Sequence, residues 1–396
     1  MIDGTTAQGG APLRIFIIAA EESGDLLGGR LIAALRQRAA VPLAFEGVGG
    51  RAMAAQGVAS LFPIDDLAIV GVSAIPRRLP AILRDIRRAA RRVVAVRPDV
   101  LVIIDSPDFT HRVARRVRKA APDIPIVDYV SPSVWAWRPG RARAMCAYVD
   151  HVLALLPFEP AAHARLGGPP CTFVGHPLAE QIGLLRPSTE EARRRAGDPP
   201  VVLVLPGSRS GEIARHLAVF GAAAALLADR CGPLELVLPT VPHLAERVRR
   251  ETAGWRVVPR VVVETADKWS AFRRARAALA ASGTVTLELA LAGVPTVVAY
   301  KVALMTELIY HAAVRVPTIV LANLVLGEKV MPEIVQRQAT PASLAAALAP
   351  LIGETSERRA QVEAFARIDA VMQIGAAHPS EAAARVVLEV AERGRS

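Results

Sequence analysis

The chain has 396 residues, of which 52% are hydrophobic, and it carries a net charge of +11. This length predicts two domains of ordinary size, and the hydrophobic content excludes a largely disordered chain. The positive charge is almost entirely arginine and favours an anionic partner, but no nucleic-acid-binding motif accompanies it. Three scattered cysteines without a C-x-x-C pair argue for a reducing compartment and against a structural zinc site.

Two apolar stretches are candidates for a signal peptide and for a membrane span. The run 15–20 ends at Glu21 and Glu22 and has no basic segment before it, which indicates a buried strand and not a signal peptide. The longer run 277–300 is interrupted by Ser-Gly-Thr at 282–284 and by Gly-Val-Pro at 293–295. We therefore predict no transmembrane segment.

Short β-branched segments alternate with Ala- and Arg-rich helical segments along the chain. Near-continuous apolar strands separated by helices predict parallel sheets that are covered on both faces. The alternation restarts at Val201, after a polar segment, 186–200, that we interpret as an interdomain connection. The predicted strands are 14–20, 100–104, 124–129, 152–156, 201–205, 234–238, 257–262, 278–280 and 296–300.

The segment 129–138 contains two of the four tryptophans and one of the four tyrosines. Its Ser-Pro-Ser triplet suits neither a strand nor a helix interior, because proline lacks an amide donor and restricts the preceding residue. Rigid aromatic side chains on an irregular loop after a buried strand favour a ligand cleft, with Ser131, Trp135 and Trp137 as candidates. The alternative is a tryptophan pair that closes the edge of a core.

Polar residues follow the first predicted strand and the strand that ends at 104. Open α/β sheets bind ligands at the carboxyl ends of their strands. The cleft candidates in the first of these loops are Glu21, Ser23, Gly24 and Asp25. In the second loop, Asp105 directly follows an apolar strand, where burial raises a carboxylate pKa. The alternatives are helix capping by Ser23 or Asp25, and capping by Asp105 of the helix that begins near 109, a role that Asp108 also fits.

Two loops of the second half have the composition of phosphate-binding turns. Gly207, Ser208 and Arg209 lie between an apolar strand and a helix that contains Glu212; glycine permits close approach, and a helix N-terminus attracts anions. The second loop comprises Ser282, Gly283 and Thr284, and Glu288 follows as an isolated charge in an apolar helix. Plain strand-to-helix turns are the alternative interpretation.

An apolar segment at 67–75 is followed by Pro-Arg-Arg and an arginine-rich helix to about residue 92. Apolar side chains beside cations favour contact with an anionic membrane surface. A buried strand–helix unit fits the same pattern nearly as well. The residues predicted to meet the membrane or acyl chains are Leu67, Ile69, Val70, Val72 and Ile75.

Nine such segments occur in one order along residues 13–350. They include Ala-Glu-Glu-Ser-Gly-Asp at 20–25, Ile-Asp-Ser-Pro-Asp-Phe at 104–109, Leu-Pro-Gly-Ser-Arg at 205–209 and Ala-Ser-Gly-Thr at 281–284. Asn323 and Gln336 complete the set. In this order the segments resemble the lipid A disaccharide synthases, inverting glycosyltransferases of bacterial outer-membrane glycolipid synthesis. Ala20 departs from the glycine that is usual in that family, which puts the fine geometry of the first loop in doubt.

The resemblance implies an α/β protein of the GT-B fold, with two Rossmann-like domains whose parallel sheets face a cleft. An acceptor- and membrane-facing domain would comprise residues 1–180, a UDP-sugar-binding domain residues 200–362, and the final helix, about 363–396, would return to the first domain. Asp105 would be the general base, Arg209 would meet the donor diphosphate, and Glu288 would bind the ribose. Asn323 and Gln336 would lie near the nucleotide.

The implied reaction joins 2,3-diacylglucosamine from its UDP conjugate to 2,3-diacylglucosamine 1-phosphate, giving a β-1,6-linked disaccharide 1-phosphate and UDP. No cofactor is implied, and no D-x-D triplet that would hold a metal occurs in the sequence. The enzyme would be peripheral on the cytoplasmic face of the inner membrane, and a homodimer remains open. Three alternatives belong to other classes: a UDP-sugar 2-epimerase, a nicotinamide oxidoreductase, whose G-x-G-x-x-G motif is missing here, and a noncatalytic basic binding protein.

Overall fold

The computed structural model of the protein describes residues 11–64, 75–302, 316–375 and 378–395, with the side chains of 75–78 and 395 left out. The predicted membrane residues Leu67, Ile69, Val70 and Val72 lie outside the described residues, as does the side chain of Ile75. The chain divides into two compact units. The first comprises Met1–Ala179 and Gly375–Ser396, and the second comprises Glu180–Ile374.

A parallel sheet of six strands forms the centre of the first unit, in the order β2-β1-β3-β4-β5-β6. The strands are β1 Leu13–Ala19, β2 Leu43–Val48, β3 Val100–Ile104, β4 Ile126–Tyr129, β5 His151–Ala154 and β6 Cys171–Phe173. The helices between them are α1 Glu22–Arg38, α2 Arg51–Ala55, α3 Ile75–Val96, α4 Thr110–Ala120, α5 Gly140–Met145 and α6 Glu159–Leu166.

The sheet of the first unit is covered on both faces, which explains why its central strands are apolar throughout. Successive strand residues point to opposite faces. Phe16 and Ile18 accordingly pack in the cluster that contains the buried faces of α3 and α4. Ile15 and Ile17 pack in the opposite cluster, with the buried face of α1. The predicted covered parallel sheet is confirmed here.

The second unit has its own parallel six-stranded sheet, in the order β12-β11-β10-β7-β8-β9. Its strands are β7 Val201–Leu205, β8 Glu235–Pro239, β9 Arg260–Val262, β10 Ala277–Ala281, β11 Thr296–Tyr300 and β12 Glu333–Val335. Its helices are α7 Ile182–Leu185, α8 Thr189–Arg194, α9 Ser210–Cys231, α10 Ala245–Thr252, α11 Thr265–Arg274, α12 Val285–Leu291, α13 Leu321–Leu326, α14 Pro341–Ile352, α15 Ser356–Ala366 and α16 Ile368–Val371.

Helix α9 is the one helix of the described ranges with the length and composition of a membrane span. Half of its most apolar window is buried inside the protein. Its buried residues, Ile213, Leu217 and Phe220 among them, share one apolar cluster with strands β7, β8 and β10 and with α14. The hydropathy of α9 is thus explained by packing against its own sheet.

The segment 186–200, interpreted from its sequence as an interdomain connection, is partly helical. It contains α8, which Ser188 and Glu191 cap reciprocally. After α8, the guanidinium of Arg195 donates to the carbonyls of Phe272, Arg273, Ala292 and Gly293 at 2.7–3.1 Å. These four hydrogen bonds attach the segment to the second unit, to which it belongs.

The chain ends with helix α17, Pro379–Arg395, which belongs to the first unit. Its Ala383, Ala384 and Val387 pack in the cluster that holds the buried face of α1. Residues 363–374 remain with the second unit, so the returning segment begins about 12 residues later than the sequence predicts.

Candidate functional site

A cavity of about 520 Å³ opens in the second unit at the carboxyl ends of β10, β7, β8 and β9. Parallel α/β sheets bind ligands at this edge, because the loops that follow neighbouring strands meet there. Eight of the predicted donor-binding residues line it: Gly207, Ser208, Arg209, Glu212, Ser282, Gly283, Thr284 and Glu288.

Glu212 organises the first loop of this cavity. Its Oε2 accepts hydrogen bonds from the backbone N–H groups of Ser208 at 3.0 Å and Arg209 at 3.3 Å, and its Oε1 lies 3.2 Å from Arg209 Nη1. Gly207 has φ +118°, and a Cβ there would lie 2.4 Å from Glu212 Oε2, so the turn requires glycine. The two amides expected to meet a phosphate are therefore occupied by a carboxylate, and Arg209, whose side chain is 81% exposed, supplies the positive charge.

An ion pair that the sequence does not predict lies on the opposite wall of the donor cavity. Lys268 Nζ, on α11, is 2.6 Å from Glu288 Oε2, on α12. The ammonium also lies 4.4 Å from the ring centre of Trp269. Lys268 is one of only four lysines in the chain, which is the single signal that sequence reasoning could have used. Beside this pair, Ser282 Oγ donates to the carbonyl of Ile319 at 2.6 Å and fixes the second loop.

The remaining two predicted donor residues do not line this cavity. Asn323 is 1% exposed; its amide oxygen accepts from the N–H groups of Val330 and Met331, and its amide nitrogen donates to Met331 O and Glu333 Oε1. It therefore shapes the chain between α13 and β12. Gln336 lines a separate cavity of about 370 Å³, where its Oε1 accepts from the N–H of Val302 at 2.8 Å.

Asp105 lies at the carboxyl end of β3 in the first unit, in a left-handed backbone conformation with φ +50°. Ser106 next to it has φ +46°, and Val130 and Arg138 after β4 are also left-handed. Each such non-glycine residue costs about 1–3 kcal/mol and persists only where the surroundings impose it. The Asp105 N–H donates to Tyr129 O at 3.0 Å, and Thr110 Oγ1 donates to the Asp105 carbonyl at 2.6 Å.

The pKa of Asp105 is raised above its ordinary value, chiefly because the carboxyl is buried. The negative charges of Glu21 and Asp128 raise it further, while the N–H of Ser106 and the side chain of His111 lower it. A carboxylate with a raised pKa is the more effective proton acceptor.

Asp25 is not part of an open cleft, contrary to the prediction. Its carboxylate is buried and accepts from the N–H groups of Gly50 at 2.7 Å, Ala52 at 2.7 Å and Met53 at 3.0 Å. These amides begin helix α2, so Asp25 satisfies the donors at the start of a helix 25 residues away. Neither Ser23 nor Asp25 caps α1, which begins at Glu22.

The other members of the first loop take different positions. Glu21 and Ser23 are exposed at the start of α1. Gly24 is buried, and a Cβ there would make ordinary van der Waals contact with the carbonyl of Ile104 at 3.4 Å. Of this loop, Glu21 is the residue whose charge acts on Asp105.

The aromatic segment divides into buried and exposed parts. Ser131 is buried, and its Oγ lies 2.8 Å from His163 Nε2. Trp135 donates from Nε1 to Glu159 Oε1 at 3.0 Å, and burial raises the pKa of Glu159 to about 7. Trp137 is 43% exposed, with the guanidinium of Arg138 4.3 Å from its ring centre. Trp137 is therefore the most exposed aromatic side chain of this segment.

Comparison with known proteins bears on the fold first. The structure of UDP-GlcNAc 2-epimerase from Neisseria meningitidis bound to UDP-GlcNAc matches with a TM-score of 0.62 at 12% identity, covering 95% of this chain and 100% of that chain. MurG from Acinetobacter baumannii matches with a TM-score of 0.57 at 16% identity, covering 96% and 100%. At these identities the likeness shows the fold alone, which is GT-B, as predicted.

Comparison of sequences bears on the family. The family model described as Lipid-A-disaccharide synthetase matches residues 15–387. A lipid-A-disaccharide synthase from Nitrobacter hamburgensis is 56% identical over 395 residues, which cover 100% of this chain and 99% of that protein. These matches confirm the family resemblance that the motifs indicated and do not favour the alternative classes. The chain belongs to the lipid-A-disaccharide synthetase family and is a glycosyltransferase of lipid A biosynthesis.

Proposed function

We propose that the protein transfers 2,3-diacylglucosamine from its UDP conjugate to 2,3-diacylglucosamine 1-phosphate, forming the β-1,6-linked disaccharide 1-phosphate and UDP. The observation that carries this proposal is the donor cavity of the second unit, where two glycine-containing loops, an exposed arginine and a carboxylate lie together in a chain of this family. A volume of about 520 Å³ suits a nucleoside diphosphate.

The donor would be bound through its diphosphate and its ribose. Arg209 is mostly exposed and shares its charge with a single carboxylate, that of Glu212, so its guanidinium is accessible to the diphosphate. The same charge would stabilise the UDP leaving group, in a reaction that we propose to be independent of metal ions. Glu288, held by Lys268, would accept hydrogen bonds from the ribose hydroxyls.

Asp105 would be the general base. Inverting transfer requires that the acceptor hydroxyl lose its proton as it attacks the anomeric carbon. The buried carboxyl with its raised pKa supports this role. The acceptor glucosamine would meet the exposed Trp137, since sugar rings pack well on indole faces and Arg138 holds that ring in place.

The membrane role would belong to the first unit. In the described part of α3, Ile86, Ala89, Ala90 and Val93 are buried, whereas Arg87, Arg88 and Arg91 are exposed. In the sequence, Arg77 and Arg78 precede these arginines and follow the apolar segment 67–75. We propose that this segment and these arginines together rest on the anionic cytoplasmic surface of the inner membrane, with each arginine contributing about 1 kcal/mol in a salt-sensitive manner.

The reaction is tested with purified protein and the two lipids. UDP and the disaccharide 1-phosphate should form only when both lipids are present, and EDTA should not reduce the rate. Conversion of the UDP-sugar in the absence of acceptor would support the 2-epimerase alternative instead. A strict need for added divalent metal would contradict the proposal that Arg209 stabilises the leaving group without a metal ion.

The membrane role is tested with one variant in which Leu67, Ile69, Val70, Val72 and Ile75 are replaced by serine. The variant should lose sedimentation with anionic vesicles and keep its melting temperature, since exposed apolar side chains contribute to lipid insertion at roughly 25 cal/mol per Å² and not to the core. A large drop in melting temperature would place the segment in the core.

A further inference from the structure

A chain of hydrogen bonds runs from the surface of the first unit to the buried carboxyl end of β4. Arg115 Nη2, on α4, donates to the hydroxyl of Tyr148 at 3.2 Å. That hydroxyl lies 3.0 Å from His111 Nδ1, and His111 Nε2 lies 3.1 Å from Asp128 Oδ2. Tyr148, His111 and Asp128 are all buried, and Asp128 is fully so.

The donors in this chain fix its direction. Arginine can only donate, so the Tyr148 oxygen accepts from Arg115; in the tautomer that places the His111 hydrogen on Nε2, the Tyr148 hydroxyl donates to His111 Nδ1. Burial raises the pKa of Tyr148, which keeps that hydrogen in place. His111 then carries its hydrogen on Nε2 and donates it to Asp128. This proton arrangement uses the hydrogens of Arg115, Tyr148 and His111 in turn, and it ends at Asp128 Oδ2.

Stability alone does not account for this arrangement. A fully buried carboxylate is costly, and apolar residues of similar volume often replace a buried ion pair without loss of stability. Moreover, Asp128 Oδ1 has no hydrogen-bond partner within the described ranges. The carboxylate is thus only half satisfied, which indicates that its charge acts on something nearby.

Asp105 is one of the groups that the Asp128 charge affects, beside Tyr148, Glu159 and His163. In the register of β3 and β4, Asp128 pairs with Ile103 and Tyr129 pairs with Ile104, and the Asp105 N–H donates to Tyr129 O. We propose that Asp128 is a positioning residue for the transfer reaction, whose buried charge, held by His111 and Tyr148, sets the electrostatic environment of the Asp105 carboxylate. This inference rests on the proposed role of Asp105 as base.

The consequence is a defined pH dependence. The groups that face Asp105 are Glu21 at the start of α1, Asp128 on β4, His111 on α4 and the Ser106 amide; the two carboxylates raise the pKa of Asp105 and the other two groups lower it. A general base works only when deprotonated, so activity is lost as the pH falls through the pKa of Asp105. Removal of the Asp128 charge lowers that pKa and should move the loss of activity to lower pH.

The test is the pH profile of kcat/KM for three variants beside the wild-type protein. Asp128→Asn should shift the acid limb to lower pH. Tyr148→Phe should also move the limb, because His111, which faces Asp105, loses one of the two partners that hold its imidazole. Asp123→Asn, an exposed carboxylate just before β4 and at its opposite end, should leave the limb in place.

Two outcomes would contradict the proposed role of Asp128. A third would contradict the proposed role of Asp105 as general base. A folded Asp128→Asn variant with an unchanged acid limb would show that the chain of hydrogen bonds is structural only. If Asp128→Asn fails to fold, an unchanged limb in Tyr148→Phe leads to the same conclusion. If Asp105→Asn retains full turnover, the assignment of the base is wrong, whatever the Asp128 and Tyr148 variants show.

Discussion

The donor cavity of the second unit and the surroundings of Asp105 in the first unit handle charge in opposite ways. In the cavity, Arg209 is largely exposed, and Lys268 and Glu288 line the wall as a partly exposed pair. Around Asp105, the ionisable side chains of Asp128, His111 and Tyr148 are buried and hydrogen-bonded to one another. The donor cavity therefore has ionisable side chains that solvent reaches, whereas these three side chains near Asp105 are shielded from solvent.

This difference separates binding from chemistry. An exposed charged side chain can release water or a weak partner and bind a ligand phosphate at a small cost in free energy. A proton acceptor gains from burial, because desolvation and nearby negative charge raise its pKa towards the pH at which it works. The two units should therefore respond differently to mutation: UDP affinity and turnover fall together in the second unit, and turnover alone falls in the first.

The largest expected effect is that of Asp105→Asn. Turnover should fall by about 10²- to 10⁴-fold, which is the usual contribution of a general base, while the affinity for UDP changes little. Steady-state kinetics and calorimetric titration with UDP measure the two quantities. An equal loss of UDP affinity would mean that Asp105 belongs to nucleotide binding and that the contrast between the two regions fails.

Arg209→Ala should lower UDP affinity as well as turnover, because its charge meets the diphosphate in the bound state and in the transition state alike. We expect UDP to bind about 10- to 100-fold more weakly, the value of one hydrogen-bonded ion pair to a phosphate, with kcat/KM falling in parallel. Arg250→Ala is the matched control, since Arg250 is an exposed arginine of the same unit that does not line the cavity. Undiminished UDP affinity in Arg209→Ala would remove the diphosphate from this loop.

Asp25→Ala tests whether the buried carboxylate of the first loop is structural. The three amides of α2 lose their acceptor, so stability to urea should fall by about 2 kcal/mol with UDP affinity unchanged. Glu22→Ala, an exposed acid in the first turn of α1, should change stability by less than about 0.5 kcal/mol. A stable but inactive Asp25→Ala variant would show instead that Asp25 takes part in the site.

The sequence predicts the central strands well because they are apolar along their whole length. All five residues of both β3 and β10 are buried, and their signals need no tertiary context. The edge strands β6 and β12 each have three residues, all partly exposed, and they were not predicted. Their pairing depends on a neighbouring strand that is distant in sequence, and no local pattern reports it.

The site residues show the same difference between local signals, which the sequence contains, and tertiary contacts, which it does not. The loops at the carboxyl ends of strands are found from their glycines and position, as for Gly207 and Gly283. Contacts that depend on tertiary approach are missed. Lys268 and Glu288 lie on different helices, and Asp25 satisfies a helix that begins at Arg51. The hydrogen bonds of Asn323 to the backbone of Met331 are a further example, since no local pattern reports them; its place near the nucleotide stays a prediction.

The smallest expected effect concerns the Lys268 and Glu288 pair, and it refines the account of the donor cavity. Lys268→Met and Glu288→Gln should each weaken UDP binding about three- to tenfold, and the double variant should lose little more, since the two side chains act as one unit. The loss in Glu288→Gln should vanish for a UDP analogue without ribose hydroxyls, because the proposed hydrogen bonds are then absent. Lys329→Met, the same substitution at an exposed lysine outside the donor cavity, is the control. Additive losses, or an equal loss with the analogue, would show that the pair supports the cavity wall without contacting the ribose.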